Sequence, residues 1–327
     1  MSSKVIWGIL STASIGTEQV IPALLNGTYC DVRAIASRSI DAANKVAQDF
    51  EIPRAYGSYE ELLEDPEIEA VYIPLPNHLH VPWSILAMQA GKHVLVEKPI
   101  ALSSEEARKL VDEALKYPEL KVMEAFMYRH HPQWIKAKDL VESGIIGNLK
   151  TIQSSFSFFE DDPESIVNKK EYGGGSLMDI GCYPISLSRF LFNAEPEKVH
   201  ANIEIHPEFL TDTLATAILE FEHGSSSFFS STLMPDRQHV EIFGSKGSIE
   251  IEIPFNPPAD KPAKIWLHHG DRKEAFIFES CDQYTIQGDL FSLAILNDTP
   301  VPTPLQDAVD NMIVIERLFA ADPGSRH

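Results

Sequence analysis

The chain has 327 residues, 44% hydrophobic and 23% charged, which is ordinary for a globular protein and long enough to fill two cores. Its 27 Lys and Arg face 48 Asp and Glu, a formal net charge of -21; so acidic a surface repels phosphate backbones and anionic lipid, so neither nucleic-acid nor membrane binding is expected. Three cysteines (Cys30, Cys182, Cys281) without a CxxC pair suit a reducing compartment. With no signal-like apolar stretch in MSSKVIWG and no apolar run of about 18 residues, a cytoplasmic protein is expected.

In chain order, KVIWGIL (4–10) reads as a buried strand, followed by a helix over 15–26. VRAIAS (32–37) is a second strand, and the next helix puts Ala42, Ala43, Val46, Ala47 and Phe50 on one face. A short helix over 59–64, a strand at 70–75, a helix at 80–90 and a strand at 93–97 come next. A helix over 104–116, capped by Ser103 or Ser104 with Glu106 behind, leads to a strand at 121–126. This β-α-β-α rhythm predicts an α/β Rossmann domain, a doubly wound parallel sheet, over residues 1–126.

The rhythm then changes. After a helix at 132–142, strands dominate: 149–158, 198–206, 213–221, 226–233, 239–243, 248–253, 265–269 and 275–279. Gly244-Ser245-Lys246-Gly247 is a hairpin signal, IPFNPPADKP (253–262) a loop, and helices at 287–297 and 305–320 close the chain. Residues 127–327 therefore read as an α+β domain built on a large, mostly antiparallel sheet. Ser157, Ser227, Ser230, Ser231 and Thr232 make a sheet face of small polar residues, read either as a solvated face or as a dimer surface.

Five stretches can carry chemistry. VIWGILSTASIG ends its first strand in a turn where the G-x-G-x-x-G fingerprint reads Ser11, Ala13, Gly16. The two replacements are small, Gly16 keeps the helix-packing position, and the hydroxyls of Ser11, Thr12 and Ser14 can donate to phosphate. IASRS places Ser37 and Arg38 where an NAD enzyme carries an acid on the ribose, which favours NADP over NAD. VLVEKPI sets Lys98 between Glu97 and Pro99 at a strand's C-terminal edge, where open α/β sheets bind ligands. GGGSLMDIGCYPIS has Ser176 as a helix cap, Asp179 and Tyr183 four apart on one helical face, and Pro184 as a kink. MEAFMYRHHPQW puts Arg129, His130 and His131 past a strand end, and PNHLHVP puts His78 and His80 at the sheet edge. Neither histidine pair has partners at metal-ligand spacing, and no metal is expected.

Taken in order, GILSTASIG, SRS, YIPLPNHLH, AGKHVLVEKP, MEAFMYRHHPQ and GGGSLMDIGCYP resemble the Gfo/Idh/MocA oxidoreductase family, over nearly the whole chain. The SxA turn, MEAFMYR and Tyr183 resemble the branch with NADP-dependent D-xylose dehydrogenases and dimeric dihydrodiol dehydrogenases. The resemblance implies a Rossmann domain plus an open-faced sheet domain through which homodimers form, with tetramers as the alternative. It implies hydride transfer between a nicotinamide cofactor and a carbon of a sugar or polyol-like substrate. Lys98 falls on the family's active-site lysine, and Asp179 and Tyr183 on its D-x-x-x-H/Y pair. The expected catalytic set is Lys98, Tyr183 and Asp179. The cofactor set is Ser11, Thr12, Ala13, Ile15, Ser37, Arg38, Pro74, Leu75, Asn77, His80, Glu97 and Lys98. Arg129, His130, Phe158 and Tyr172 are substrate candidates. The alternatives are a trans-dihydrodiol dehydrogenase, a keto-sugar reductase, and a non-catalytic NADP-binding regulator of the same fold.

Overall fold

The structure, a computed structural model, describes residues 4–322. It holds two compact units: one runs to Met127 and adds Asp282–Val309, the other comprises Tyr128–Cys281 and the residues from Asp310 onward. In the first, β1 (Val5–Leu10), β2 (Cys30–Ala36), β3 (Arg54–Tyr56), β4 (Ala70–Ile73), β5 (His93–Val96) and β6 (Val122–Glu124) alternate with α1 (Ile21–Asn26), α2 (Ile40–Asp49), α3 (Tyr59–Glu64), α4 (His80–Gln89) and α5 (Ser104–Ala114). The second contains α6 (Pro132–Glu142), β7 (Leu149–Phe159), α7 (Cys182–Phe192), β8 (Lys198–Ile205), β9 (Asp212–Phe221), β10 (Gly224–Ser231), β11 (Leu233–Gly244), β12 (Gly247–Ile251), β13 (Ala263–His269) and β14 (Arg272–Phe278). Then come α8 (Gln283–Leu296) and α9 (Leu305–Ala321).

The first sheet is parallel throughout, in the order β3-β2-β1-β4-β5-β6, so its order reverses between β1 and β4. Such sheets are covered on both faces, which is why AVYI of β4 is apolar and buried at every position. Trp7, Ile9, Ile35, Tyr72, Leu95 and Met123 meet Ile21, Leu24 and Phe291 in one core. α8 belongs to this core: Trp7 Nε1 donates to Ser292 Oγ at 3.1 Å, and its ring lies 5.5 Å from that of Phe291. Gly288 permits the approach, since a Cβ there would stand 2.4 Å from Leu24 Cδ2. α8 starts four residues before the expected 287, because Asp282 accepts the N–H of Tyr284 at 2.8 Å and caps it. Ser103 caps α5, and Glu106 reaches back to the N–H of Leu102.

The second sheet has eight strands in the order β14-β13-β12-β11-β7-β10-β9-β8. It is antiparallel except where β10 runs parallel to β7. The expected hairpin joins β11 to β12. Alternation separates the faces: Ile152, Phe156, Ala217, Leu219 and Phe228 are buried, while Gln153, Thr216 and Ile218 are exposed.

Two expectations are corrected in this unit. The small polar residues do not form one solvated or dimerising face. Ser157, Ser230, Ser231 and Thr232 are at most 2% exposed, and Ser227 alone is half-buried. Three of the serine hydroxyls are spent inside the unit: Ser231 donates to the Thr213 carbonyl at 2.7 Å, Ser157 donates to that of Pro235 at 2.8 Å, and Ser230 pairs with the Ser176 hydroxyl at 3.1 Å. Ser176 does not cap the following helix either. That helix opens with a π turn, Leu177–Gly181, before α7, and its cap comes from another strand, as described below. Pro184 then sits in the first turn of α7, where a missing N–H costs little.

Candidate active site

The loops that leave the C-terminal edge of the first sheet bring together the residues expected to hold a dinucleotide. After β1, Ser11 adopts φ +144°, a backbone conformation that glycine, the fingerprint residue at this position, takes freely. Its Oγ accepts the Ala13 N–H at 3.1 Å, so the hydroxyl braces the turn. Thr12, Ala13 and Ile15 remain half-buried around it, and a π turn, Gly16–Val20, leads into α1. A Cβ on Gly16 would meet Pro74 Cγ at 3.5 Å, an ordinary contact, so packing does not demand glycine there. Within this run the Thr17 N–H is bonded to the Ala13 carbonyl at 3.0 Å and the Ile21 N–H to the Gly16 carbonyl. Past β2, Ser37 is buried and its Oγ accepts the N–H of Ser39, while Arg38 is exposed and carries no ion pair among the described residues. A turn of small residues at the end of β1 and an exposed guanidinium past the adjacent β2 fit a dinucleotide with a 2′-phosphate.

Between β4 and α4, Pro74 and Leu75 are buried, and Asn77 opens a single 3₁₀ turn. Lys98 follows β5 and is half-buried. The Lys98 N–H donates to Glu97 Oε2 at 3.2 Å, and the Tyr72 hydroxyl donates to Glu97 Oε1 at 2.6 Å. Glu124 Oε1 accepts the N–H of Ile100 at 2.7 Å. His80 is fully buried; its Nδ1 lies 2.7 Å from the Pro99 carbonyl and its Nε2 2.6 Å from that of Leu75. Burial pushes its pKa down to about 4, while the two carbonyls pull the other way. Tyr284 of α8 also senses this turn. Burial raises its phenol pKa, the Glu97 carboxylate adds to the rise and the Lys98 ammonium opposes it.

In the second unit, Asp179 and Tyr183 sit on the π turn and the start of α7. The cap is Asp212, at the start of β9 and 2% exposed: its Oδ2 accepts the Leu177 N–H at 2.7 Å and the Ser176 hydroxyl at 2.8 Å. Burial raises the Asp212 pKa, and these donors work against the rise. Gly175 makes room, at φ +114°; a Cβ there would stand 2.0 Å from Asp212 Oδ1. The Tyr183 ring is 4% exposed and held among Phe255, Phe156 and Tyr128, with centroids 5.2, 5.5 and 5.7 Å away.

The substrate candidates fall less closely together. Arg129 braces α7, donating from Nε and Nη2 to Ser186 Oγ at 3.1 and 2.8 Å, with its guanidinium over the Phe190 ring. His130 is buried, and burial, aided by the Arg129 charge, pushes its pKa down to about 4. Phe158 is half-buried near the end of β7, and Tyr172 is half-buried in a loop beneath Lys169. Among the described residues no group of His, Cys, Asp and Glu is placed to hold a metal, and no helix is long and apolar enough to cross a membrane. Asp212, Glu124 and Tyr284 were not singled out in the sequence, because each acts through a partner distant in the chain; Glu124 stands inside MEAFMYRHHPQW, but its bond to the Ile100 N–H leaves no local sign.

Residues 6–126 match the family model for the oxidoreductase family with an NAD-binding Rossmann fold, and residues 134–250 match the GFO/IDH/MocA C-terminal domain. The chain belongs to the Gfo/Idh/MocA oxidoreductase family. An uncharacterised oxidoreductase of Rhizobium meliloti is 45% identical over 318 residues, covering 95% of each chain. A D-xylose 1-dehydrogenase (NADP+) of Haloferax volcanii is 35% identical over 326 residues, covering 98% of each. A crystal structure of a 3-ketoreductase from Actinomadura kijaniata, in complex with NADP and TDP-benzene, matches with a TM-score of 0.91 at 28% identity over 98% of both chains. The family motifs read from the sequence lie within the matched stretches, apart from residues 127–133 of MEAFMYRHHPQ, which fall between the two.

Proposed function

We propose that this chain is an NADP-dependent oxidoreductase acting at a CH–OH or C=O carbon of a sugar or polyol-like substrate, in the manner of D-xylose 1-dehydrogenase. The observation that carries this reading is the convergence of the Ser11–Ile15 turn, Ser37 and Arg38, the Pro74–Asn77 loop and Lys98 on one edge of a parallel sheet, beside its β1/β4 switch point. Bound NADP would exchange the hydride. Tyr183 carries the proton at the substrate oxygen, its ring fixed by three aromatic neighbours so that the hydroxyl points one way. Lys98 stabilises the oxyanion that develops there, and Asp179 orients substrate or lysine. Arg38 and Ser37 take the 2′-phosphate.

A second reading, a keto-sugar reductase running the opposite way, is favoured by the likeness to the 3-ketoreductase structure. Because Lys98, Asp179 and Tyr183 occur together, a non-catalytic regulator is the weaker reading. A homodimer formed through the second sheet fits its exposed face, where Gln153, Thr216 and Ile218 lie opposite the buried residues. A panel of aldoses, polyols and keto-sugars, assayed by nicotinamide absorbance with NADP(H) and NAD(H), tests the reading. Turnover preferring NADP(H) is the expected result; tight NADP(H) binding with no turnover on any of them would favour the regulator.

A further inference from the structure

Lys98 reaches its working position from a four-residue turn, and that turn is gripped at several main-chain atoms. Glu97 holds the Lys98 N–H, Tyr72 holds Glu97, and Glu124 holds the Ile100 N–H. A further grip is on the Pro99 carbonyl, and it comes from His80. This histidine opens α4, after the loop leaving β4, and its two ring nitrogens span from the Leu75 carbonyl to the Pro99 carbonyl. β4 and β5 are hydrogen-bonded neighbours, so the imidazole ties the exits of two adjacent strands. Histidine suits the task because its nitrogens sit on opposite edges of one rigid ring: the neutral tautomer with its proton on Nδ1 donates to the Pro99 carbonyl, and the protonated ring donates to both carbonyls. A side chain with no exposed surface and both nitrogens against main chain has no polar atom left for a ligand.

We propose that His80 is a positioning residue for Lys98, a strut that sets the Lys98–Ile100 turn against the Pro74–Asn77 loop, and that it does not contact the cofactor. The inference rests on Lys98 acting at the substrate oxygen. Without the strut the Pro99 carbonyl loses its partner, the turn relaxes, and the ammonium at the end of a four-carbon stem shifts. A displacement of about 1 Å at a reacting centre costs on the order of 100-fold in rate.

A double-mutant cycle in the full-length enzyme, on the best substrate from the panel, tests the strut. His80→Leu is expected to lower kcat by about 10- to 100-fold with the Kd for NADP within about threefold. His80→Gln, which restores an amide donor to one carbonyl, recovers part of the loss and serves as the readout if His80→Leu does not fold. In a Lys98→Ala background, either substitution lowers kcat by less than about twofold further, because the group being positioned is gone. Equal loss in both backgrounds, or weaker NADP binding with kcat unchanged, would overturn the proposal. Full turnover by Lys98→Ala alone would instead overturn the catalytic reading of Lys98.

Discussion

At the scale of single residues, charge and hydrogen-bonding capacity decide the account. Arg38 is exposed, makes no ion pair among the described residues, and follows the buried Ser37 at the end of β2. A charge-assisted bond to a 2′-phosphate is worth about 1.5–3 kcal/mol. Arg38→Ala should therefore raise the Kd for NADP by about 10- to 100-fold and leave that for NAD within about twofold, by fluorescence titration with both cofactors. Equal weakening of the two would remove the 2′-phosphate assignment. Ser11 shows what a missing glycine means: it takes the positive φ and repays part of the cost by bonding the Ala13 N–H. The broken fingerprint reads as a candidate phosphate turn because its substitutes are small. That Ser11 braces its own loop is not legible there, since the same hydroxyl reads equally well as a phosphate donor.

At the scale of elements, the alternation of apolar strands with amphipathic helices made the Rossmann order readable, and the switch to two-residue periodicity marked the second unit. What stayed hidden depended on partners far along the chain. Ser176 reads as the cap of the helix that follows it, whereas the cap is Asp212 on β9, thirty-five residues away in sequence from Leu177. The serines of the second sheet were visible, but their burial was not, because small polar residues carry no local sign of being satisfied inside. The return of α8 to the first sheet is equally silent, since its match to Trp7 and Leu24 exists only in three dimensions. The cap gives a prediction. Asp212→Ala strands the buried Leu177 N–H and should cost about 1–3 kcal/mol or more in urea unfolding, with a parallel loss of kcat. Asp212→Asn keeps one acceptor and should cost less. If Asp212→Ala were as stable as the parent chain, the cap would have no energetic weight.

Over the whole molecule, titration links folding to pH. Burial pushes His93, His130 and His131 down to about 4, from an ordinary value of 6.5. The unfolded chain takes up these protons near pH 6.5 while the native chain refuses them until about 4, so stability is full above pH 6.5 and falls as pH drops toward 4. Each histidine costs at most about 1.4 kcal/mol per pH unit, and less where solvent reaches the ring, as at His93. His80 differs, because its protonated ring would have an acceptor on each side. Thermal melts in matched buffers should show Tm falling steadily from pH 7 to pH 5. A flat profile would mean that these rings accept protons in the folded state.

The central proposal is that Lys98 and Tyr183 do the chemistry for a bound nicotinamide. It is tested most directly by single-turnover nicotinamide absorbance with saturating NADP(H), comparing the parent chain, Lys98→Ala and Tyr183→Phe on the best substrate found. The account predicts that each substitution slows the chemical step by about 10²–10⁴-fold while the Kd for NADP(H) stays within a few-fold. Either variant turning over at the parent rate would contradict it.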